Sequence, residues 1–201
     1  TGWIVFSAGE GLKHPVAYGA SASVNAGVVC MGGETEEGIT DEAFIISVAG
    51  GKPLITPLPP LPVPVWSAAA APSGSFVYLA GGLTPFGSTH ALWCLDTENL
   101  AAGWNRLADM PLPLINSVMI ARRGRETAMW IIGGRTRGLS DDTSEIRSEI
   151  FRYSVEGDSW TLEGDLSDGD NILRLAAGTG AAIDGRYLAL FGGNDGSVFN
   201  R

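Results

Sequence analysis

Four apolar runs along the chain stop in the same way, reading "VVCMGG" at 28–33, "VYLAGG" at 77–82, "MWIIGG" at 129–134 and "LALFGG" at 188–193. Each run is too short for a helix and is bounded by turn residues, which predicts a strand that ends at a glycine pair. Ahead of each lies a strand of small residues: "AYGASASV" (17–24), "WSAAAA" (66–71), "NSVMIA" (116–121) and "LAAGTGAAI" (175–183). The intervening turns are "NAG", "PSGS", "RRGRET" and "DGR". After each of the first three pairs comes a polar loop, then a third strand, "EAFIISVA" (42–49), "ALWCLD" (91–96) or "EIFRYSV" (149–155). A fourth strand follows, "PLITPL" (53–58), "WNRLAD" (104–109) or "WTLEGD" (160–165).

The first glycines stand at 32, 81, 133 and 192, so the intervals are 49, 52 and 59. A period near 50 residues with four strands per unit matches the blade of a kelch-type β-propeller. The residues resemble that family in their Gly-Gly pair, an aromatic in strand three and a Trp in strand four, here Trp93 with Trp104 and Tyr153 with Trp160. The unit at 17–58 departs from the pattern, with Phe44 in strand three and no Trp in strand four. The expected fold is all-β, a kelch-type β-propeller with about four blades of a ring of six or seven. Residues 1–9 ("GWIVFSAG" with Trp3) read as the last strand of a preceding blade. Blades are expected at 17–58, 66–109 and 116–165, with the first half of a further blade at 175–201. That makes fifteen strands, one short of four complete blades. The chain therefore reads as a segment of a longer protein, with about 100 to 150 residues elsewhere at this period. A complementary segment that completes the ring is an expected partner, since raw sheet edges invite pairing.

This pattern gives the glycines a role. The second strand must end sharply where neighbouring blades crowd, and glycine leaves room there for the next blade's aromatic residues. Small residues in the first strands suit a narrow central channel. Trp104 and Trp160 are expected between blades.

Composition narrows the partners. Glycine, at 28 of 201 residues, is about twice its usual share, as a chain of many turns requires. The formal charge of −9 argues against nucleic acid, which needs a basic stripe. No run of 18 apolar residues predicts a spanning helix, so no membrane partner is expected. The N-terminus shows neither initiator Met nor the marks of a signal peptide, so the natural start is expected further upstream. Cys30 and Cys94 lie in apolar strands and read as free thiols, too few for a disulfide framework or zinc site. No phosphate-loop, dinucleotide or nucleophile-elbow motif occurs.

Antiparallel strands send their turns alternately to the two faces of the disc. Loops from strand two to three share a face with those from four to one, and they are the longer set, where binding residues concentrate. The basic turn at Arg122, Arg123 and Arg125 falls on the opposite face and reads as a solvated turn. On the long-loop face stand Lys13, His14, Glu34, His90, Arg135, Arg137, Asp141, Asp142, Asn171, Arg174, Asn194 and Asp195. Tyr18, Trp66 and Asn116 begin three successive first strands and are expected to ring the channel mouth. Aromatic faces beside guanidinium and amide groups suit a sugar bearing a carboxylate. His14 and His90 are too few for a metal, and the acidic loop at 34–42 lacks the ligand spacing of a calcium loop.

A closer resemblance is carried by Gly9-Glu10, by Pro15-Val16-Ala17-Tyr18-Gly19-Ala20-Ser21, by Gly32-Gly33-Glu34 and by the terminal "FGGNDGSVFN". These stretches are similar to the N-acetylneuraminate epimerases (sialic acid mutarotases) and their cyclically permuted bacterial relatives. The resemblance implies a six-bladed propeller that interconverts anomers of N-acetylneuraminic acid, a small sugar acid, without a cofactor. It implies an extracytoplasmic bacterial location, which the residues themselves leave open. In that family the proposed catalytic glutamate precedes the Pro-x-Ala-Tyr-Gly strand, before Thr1, so no catalytic residue carries over. The expected substrate-binding residues are Arg135, Arg174, Tyr18, Trp66, Asn116 and Asn194, with Glu34 and His14 as lesser candidates for proton transfer. The alternative is a non-catalytic kelch module that binds a protein or carbohydrate at the same face, since function is grafted onto a fold by its loops. A copper oxidase on such a ring would need cysteine ligands in loops, and both cysteines lie in strands.

Overall fold

The computed structural model describes residues 14–122, 126–136, 144–183 and 187–195, whose regular structure is strands apart from one short 3-10 turn at Leu100–Ala102. The strand expected at 2–9, and with it Trp3, Gly9, Glu10 and Lys13, lies outside the described residues, as do Arg123, Arg125, Arg137, Asp141, Asp142 and 196–201.

The first sheet contains β1 (Ala20–Val24), β2 (Gly27–Met31), β5 (Ala43–Ala49) and β6 (Lys52–Pro57), with a two-residue ladder of β3 (Glu34–Thr35) and β4 (Gly38–Ile39) set between β2 and β5. The second repeats this with β7 (Ala69–Ser73), β8 (Phe76–Ala80), β11 (Leu92–Asp96) and β12 (Asn105–Leu107), and the ladder β9 (Leu83–Thr84) and β10 (Gly87–Ser88). In the third, β13 (Val118–Arg122), β14 (Ala128–Ile132), β17 (Glu149–Ser154) and β18 (Ser159–Asp165) accompany β15 (Arg135–Thr136) and β16 (Glu145–Ile146). A final pair, β19 (Thr179–Ile183) and β20 (Tyr187–Phe191), opens a fourth sheet. Every pairing is antiparallel, and within each four-stranded sheet the strands pair in chain order, as in propeller blades. The first strands contact one another in turn, β1 with β7, β7 with β13 and β13 with β19, so they form the innermost tier.

The core lies between sheets. Met31, Leu61, Val65, Leu79 and Leu95 fill the space between the first and second, with Trp93 and Trp104 against them. Tyr78, Leu114, Met129, Ile131 and Tyr153 fill the next, with Trp160. The Trp104 indole N–H donates to the Pro59 carbonyl at 2.9 Å, and Trp160 donates to Ala108 at 2.9 Å. Each tryptophan thus both packs on and bonds to the blade before it. Aligning the repeats on their glycines puts Trp93 level with Phe44 and Phe151, whereas Tyr153 stands level with Leu95 and Ile46. The two strand-three aromatics are therefore not the same repeat position.

The glycine pairs do something other than make room for aromatics. In the first three pairs, the N–H of the second glycine donates to a carbonyl of the next sheet's entry segment: Gly33 to Val65 at 2.8 Å, Gly82 to Leu114 at 2.8 Å and Gly134 to Leu175 at 2.6 Å. A Cβ on the preceding glycine, Gly32, Gly81 or Gly133, would lie 2.2 Å from that same carbonyl oxygen. What crowds the position is backbone. These glycines also hold φ values of +58° to +64°, in the left-handed region.

The first strands begin later than expected, because the residues ahead of them turn. Tyr18, Ser67, Asn116 and Ala177 all sit at φ between 53° and 56°, each with a side chain in the left-handed region. They are linked sheet to sheet: Ser67 N–H donates to Tyr18 O, Asn116 to Ser67 O and Ala177 to Asn116 O, at 2.8–2.9 Å. Each left-handed residue costs about 1 kcal/mol or more, and each such bond contributes a similar amount in return.

Asp158 is a second inter-sheet tie. Its Oδ1 accepts from the buried Tyr153 hydroxyl at 2.6 Å and from the Ala108 N–H of the preceding sheet at 2.8 Å. The Tyr153 hydroxyl and the Ala108 N–H hold the Asp158 carboxyl below its ordinary value of 3.8, while burial raises the Tyr153 hydroxyl.

Two stability measurements follow. Gly133→Ala should cost more than about 3 kcal/mol in urea unfolding, because the carbonyl of Leu175 cannot retreat. Gly103→Ala, at φ +67° with nothing within 4 Å, should cost only about 1 kcal/mol; equal losses would show that strain alone demands these glycines. Asp158→Ala should cost about 1–2 kcal/mol at neutral pH. Since its folded carboxyl is depressed, that contribution is present above the ordinary value of 3.8 and fades as pH falls through the lower folded value. A cost that stays constant down to strongly acid pH would refute the charged bond.

Candidate functional site

The residue after each glycine pair makes a two-bond bridge to the entry of its own sheet, pairing Ala17 with Glu34, Trp66 with Leu83, Ile115 with Arg135 and Ala176 with Asn194. Glu34, Arg135 and Asn194, three candidates from the sequence, therefore occupy one repeat position. Tyr18 and Asn116 share another, the left-handed one. Trp66 stands one residue ahead of that position, which Ser67 fills in its sheet. Tyr18 and Trp66 still meet, their rings edge to face at 5.3 Å, with Tyr18 64% exposed. The Trp66 indole N–H is buried without a partner, as are the Ser117 hydroxyl and Arg135 Nε.

Arg135 and Arg174 come together. They line one cleft of about 490 Å³ with Ser144, Glu145, Ile146 and Asp195. The inter-sheet joint places them: Arg135 follows Gly134, Arg174 precedes Leu175, and Gly134 N–H is bonded to Leu175 O. At the two earlier joints the same two positions hold Glu34 with Pro64 and Leu83 with Pro113. Among the described joints, the one between the third and fourth sheets is the one with arginine at both flanking positions. Arg147, just beyond, donates from Nη1 to Glu145 at 2.7 Å, from Nε to Glu149 at 3.0 Å and from Nη2 to the other Glu149 oxygen. The Arg147 guanidinium holds the Glu149 carboxyl below the usual carboxylate range.

The cleft can take a carboxylate. Two guanidinium groups offer planar, charge-assisted donors, and Arg135 Nε has none of its hydrogen-bonding capacity used. The sequence placed Arg135 and Arg174 on one face without showing that they meet. Glu145, and Asp195 as a wall of the same cleft, were not singled out, nor was Arg147. Counting back from strand three would have put Arg147 level with Thr40 and Thr89.

Other candidates lie elsewhere. Glu34 and exposed His14 are not part of this cleft's lining. The His90 ring bonds through Nδ1 to the Met110 carbonyl at 2.7 Å and so braces the scaffold. Arg122 is more than a solvated turn residue, since its guanidinium stacks over Trp130 at 4.7 Å. It lines a cavity at the opposite mouth of the innermost tier with Ser23, Asn25 and Ser73. Cys94 is buried and Cys30 half-buried, both free, and burial raises both thiols. Among the described residues no three His, Cys, Asp or Glu side chains gather as a metal site.

No family model matches the chain. It is similar to the N-acetylneuraminate epimerase of Vibrio cholerae serotype O1, with 27% identity over 150 residues, 71% of this chain. The match spans 35% of that relative's length, so the chain corresponds to about a third of it.

The unpartnered indole gives a direct check. Trp66→Phe removes a buried donor that bonds to nothing, whereas Trp104→Phe breaks the bond to Pro59. Denaturant titration should show Trp104→Phe costing about 1 kcal/mol more than Trp66→Phe. Equal costs would mean that the Trp66 N–H is satisfied in solution.

Proposed function

We propose that the chain is the binding wall of a six-bladed kelch-type propeller that interconverts the anomers of N-acetylneuraminic acid. The reading is carried by the cleft in which Arg135 and Arg174 converge, in a chain similar to an N-acetylneuraminate epimerase. In the reaction a base takes the proton of the anomeric hydroxyl while an acid protonates the ring oxygen. The ring C–O bond breaks to give the open keto form, and reclosure on the other face of the carbonyl returns both protons. Nothing is oxidised or reduced.

Arg135 and Arg174 hold the sugar's carboxylate, Asn194 at the same rim and Asn116 on the adjoining tier take hydroxyl or amide groups, and the Tyr18–Trp66 pair packs against the sugar's C–H face. The acid and base come from the neighbouring blade, outside these residues, as the family resemblance implies. A second reading, a non-catalytic module for a protein ligand, is favoured by Phe86, 83% exposed at the tip of the β9–β10 ladder on the same face.

Freshly dissolved N-acetylneuraminic acid followed by NMR decides between them. The full-length protein should speed anomer equilibration, and Arg135→Ala should weaken acid binding about 10- to 100-fold, as loss of a charge-assisted pair implies. An unchanged equilibration rate with the full-length protein would reject the enzyme. Phe86→Ser should leave the rate untouched.

A further inference from the structure

Arg147 stands where the two preceding repeats carry threonine. The equivalence is fixed by backbone: the N–H groups of Thr40, Thr89 and Arg147 donate to the carbonyls of Gly33, Gly82 and Gly134. In the first two repeats the threonine hydroxyl accepts from the N–H two residues on, Glu42 or Ala91, an uncharged turn device. In the third, that turn bond is replaced by a charged one: the Glu149 carboxylate grips Arg147 at two points and also accepts the N–H of Ser148, one residue earlier than the N–H the threonines bind. The exchange falls in the one repeat among those described whose joint carries two arginines.

Glu145 is a wall of the cleft; in the β15–β16 ladder it stands opposite Thr136, one position from the Arg135–Ile146 pair. A carboxylate in the lining of that cleft is a potential competitor for Arg135 and Arg174. Here it is engaged elsewhere: Glu145 accepts from Arg147 at 2.7 Å, and Arg135 Nε has no partner. Arg147 is suited to this because its two-point contact with Glu149 immobilises the guanidinium in advance, its side chain 24% exposed against 64% for Glu145. With Glu145 held, the two cleft arginines share the wall with one further acidic residue, Asp195.

We propose that Arg147 is a specificity-determining residue: by holding Glu145 it keeps Arg135 and Arg174 open, and so sets the cleft's preference for an acid over a neutral sugar. This rests on the reading of the cleft as a sugar-acid site. Arg147 does not touch the ligand and acts through Glu145.

The test is titration of the full-length protein with N-acetylneuraminic acid and with its uncharged methyl ester, by calorimetry or NMR. Wild type should prefer the acid. Arg147→Met should lower the acid-to-ester affinity ratio about two- to five-fold, the size expected for releasing one partly exposed ion pair. Adding Glu145→Gln to that variant should restore the ratio. A ratio unmoved by Arg147→Met, or not rescued by Glu145→Gln, overturns the proposal. Should Arg147→Met fail to fold, Glu145→Gln alone decides: acid affinity should rise less than about two-fold, because the carboxylate it removes is already neutralised, and a larger rise would show Glu145 facing the cleft arginines. A wild type that does not prefer the acid sinks the sugar-acid reading itself, an outcome distinct from the others.

Discussion

One backbone contact repeated from sheet to sheet holds the rest of the structure in register. The N–H of Gly33, Gly82 or Gly134 meets a carbonyl of the next entry segment, with the preceding glycine pressed so close that a methyl group would lie 2.2 Å from the oxygen. No side chain takes part. The joint therefore fixes where each sheet starts relative to the last, and the inter-sheet cores are what that spacing leaves to be filled. Because the space is defined by backbone, its filling can vary: Met31 and Leu79 in one layer, Tyr78 and Met129 in the next. The left-handed belt through Tyr18, Ser67, Asn116 and Ala177 fixes the inner tier in the same way.

The fold class was legible because this contact imposes glycine at a fixed period, and glycine is the residue whose requirement shows most clearly in a sequence. Its reason was not legible. Room for the next blade's aromatics was the natural expectation, yet the atom that needs the room is a carbonyl, and carbonyls belong to every residue alike. The belt was hidden for the converse reason: Tyr, Ser, Asn and Ala share no property that announces a positive φ. The ladders β3–β4, β9–β10 and β15–β16 read as polar loops, since two residues are too few to show alternation. Trp93 and Tyr153 looked equivalent because each is an aromatic in strand three, and only the register with strand two separates them by two positions.

The candidate site was legible in part, and for a related reason. Alternating strand direction assigns loops to faces, which put Arg135 and Arg174 on one side. Their meeting depends on the joint, which links Gly134 to Leu175 across a whole sheet. The clamp of Arg147 on Glu145 and Glu149 depends on β16 and β17 running on from one another with side chains turned to the same spot. Charged residues at spacings of two suggest a solvated strand edge, and nothing in them marks one carboxylate as withheld from a neighbouring arginine.

A repeat fold can place a site at one joint because the joint itself asks nothing of its flanking side chains. Pro64 and Pro113 flank the first two joints, and neither has charge or a free N–H to offer. Arg174 takes that position at the third, beside Arg135. Two guanidinium groups that line one cleft repel each other, the more weakly the further apart they stand and the more solvent lies between them. A nearby glutamate could relieve that repulsion within the protein. With Glu145 held by Arg147, that glutamate does not compete with an acid from solution for the two arginines. On this view affinity for a carboxylate depends on which protein carboxylates compete for the two arginines as well as on the new hydrogen bonds, which is why a residue that never touches the ligand can govern which ligand is preferred.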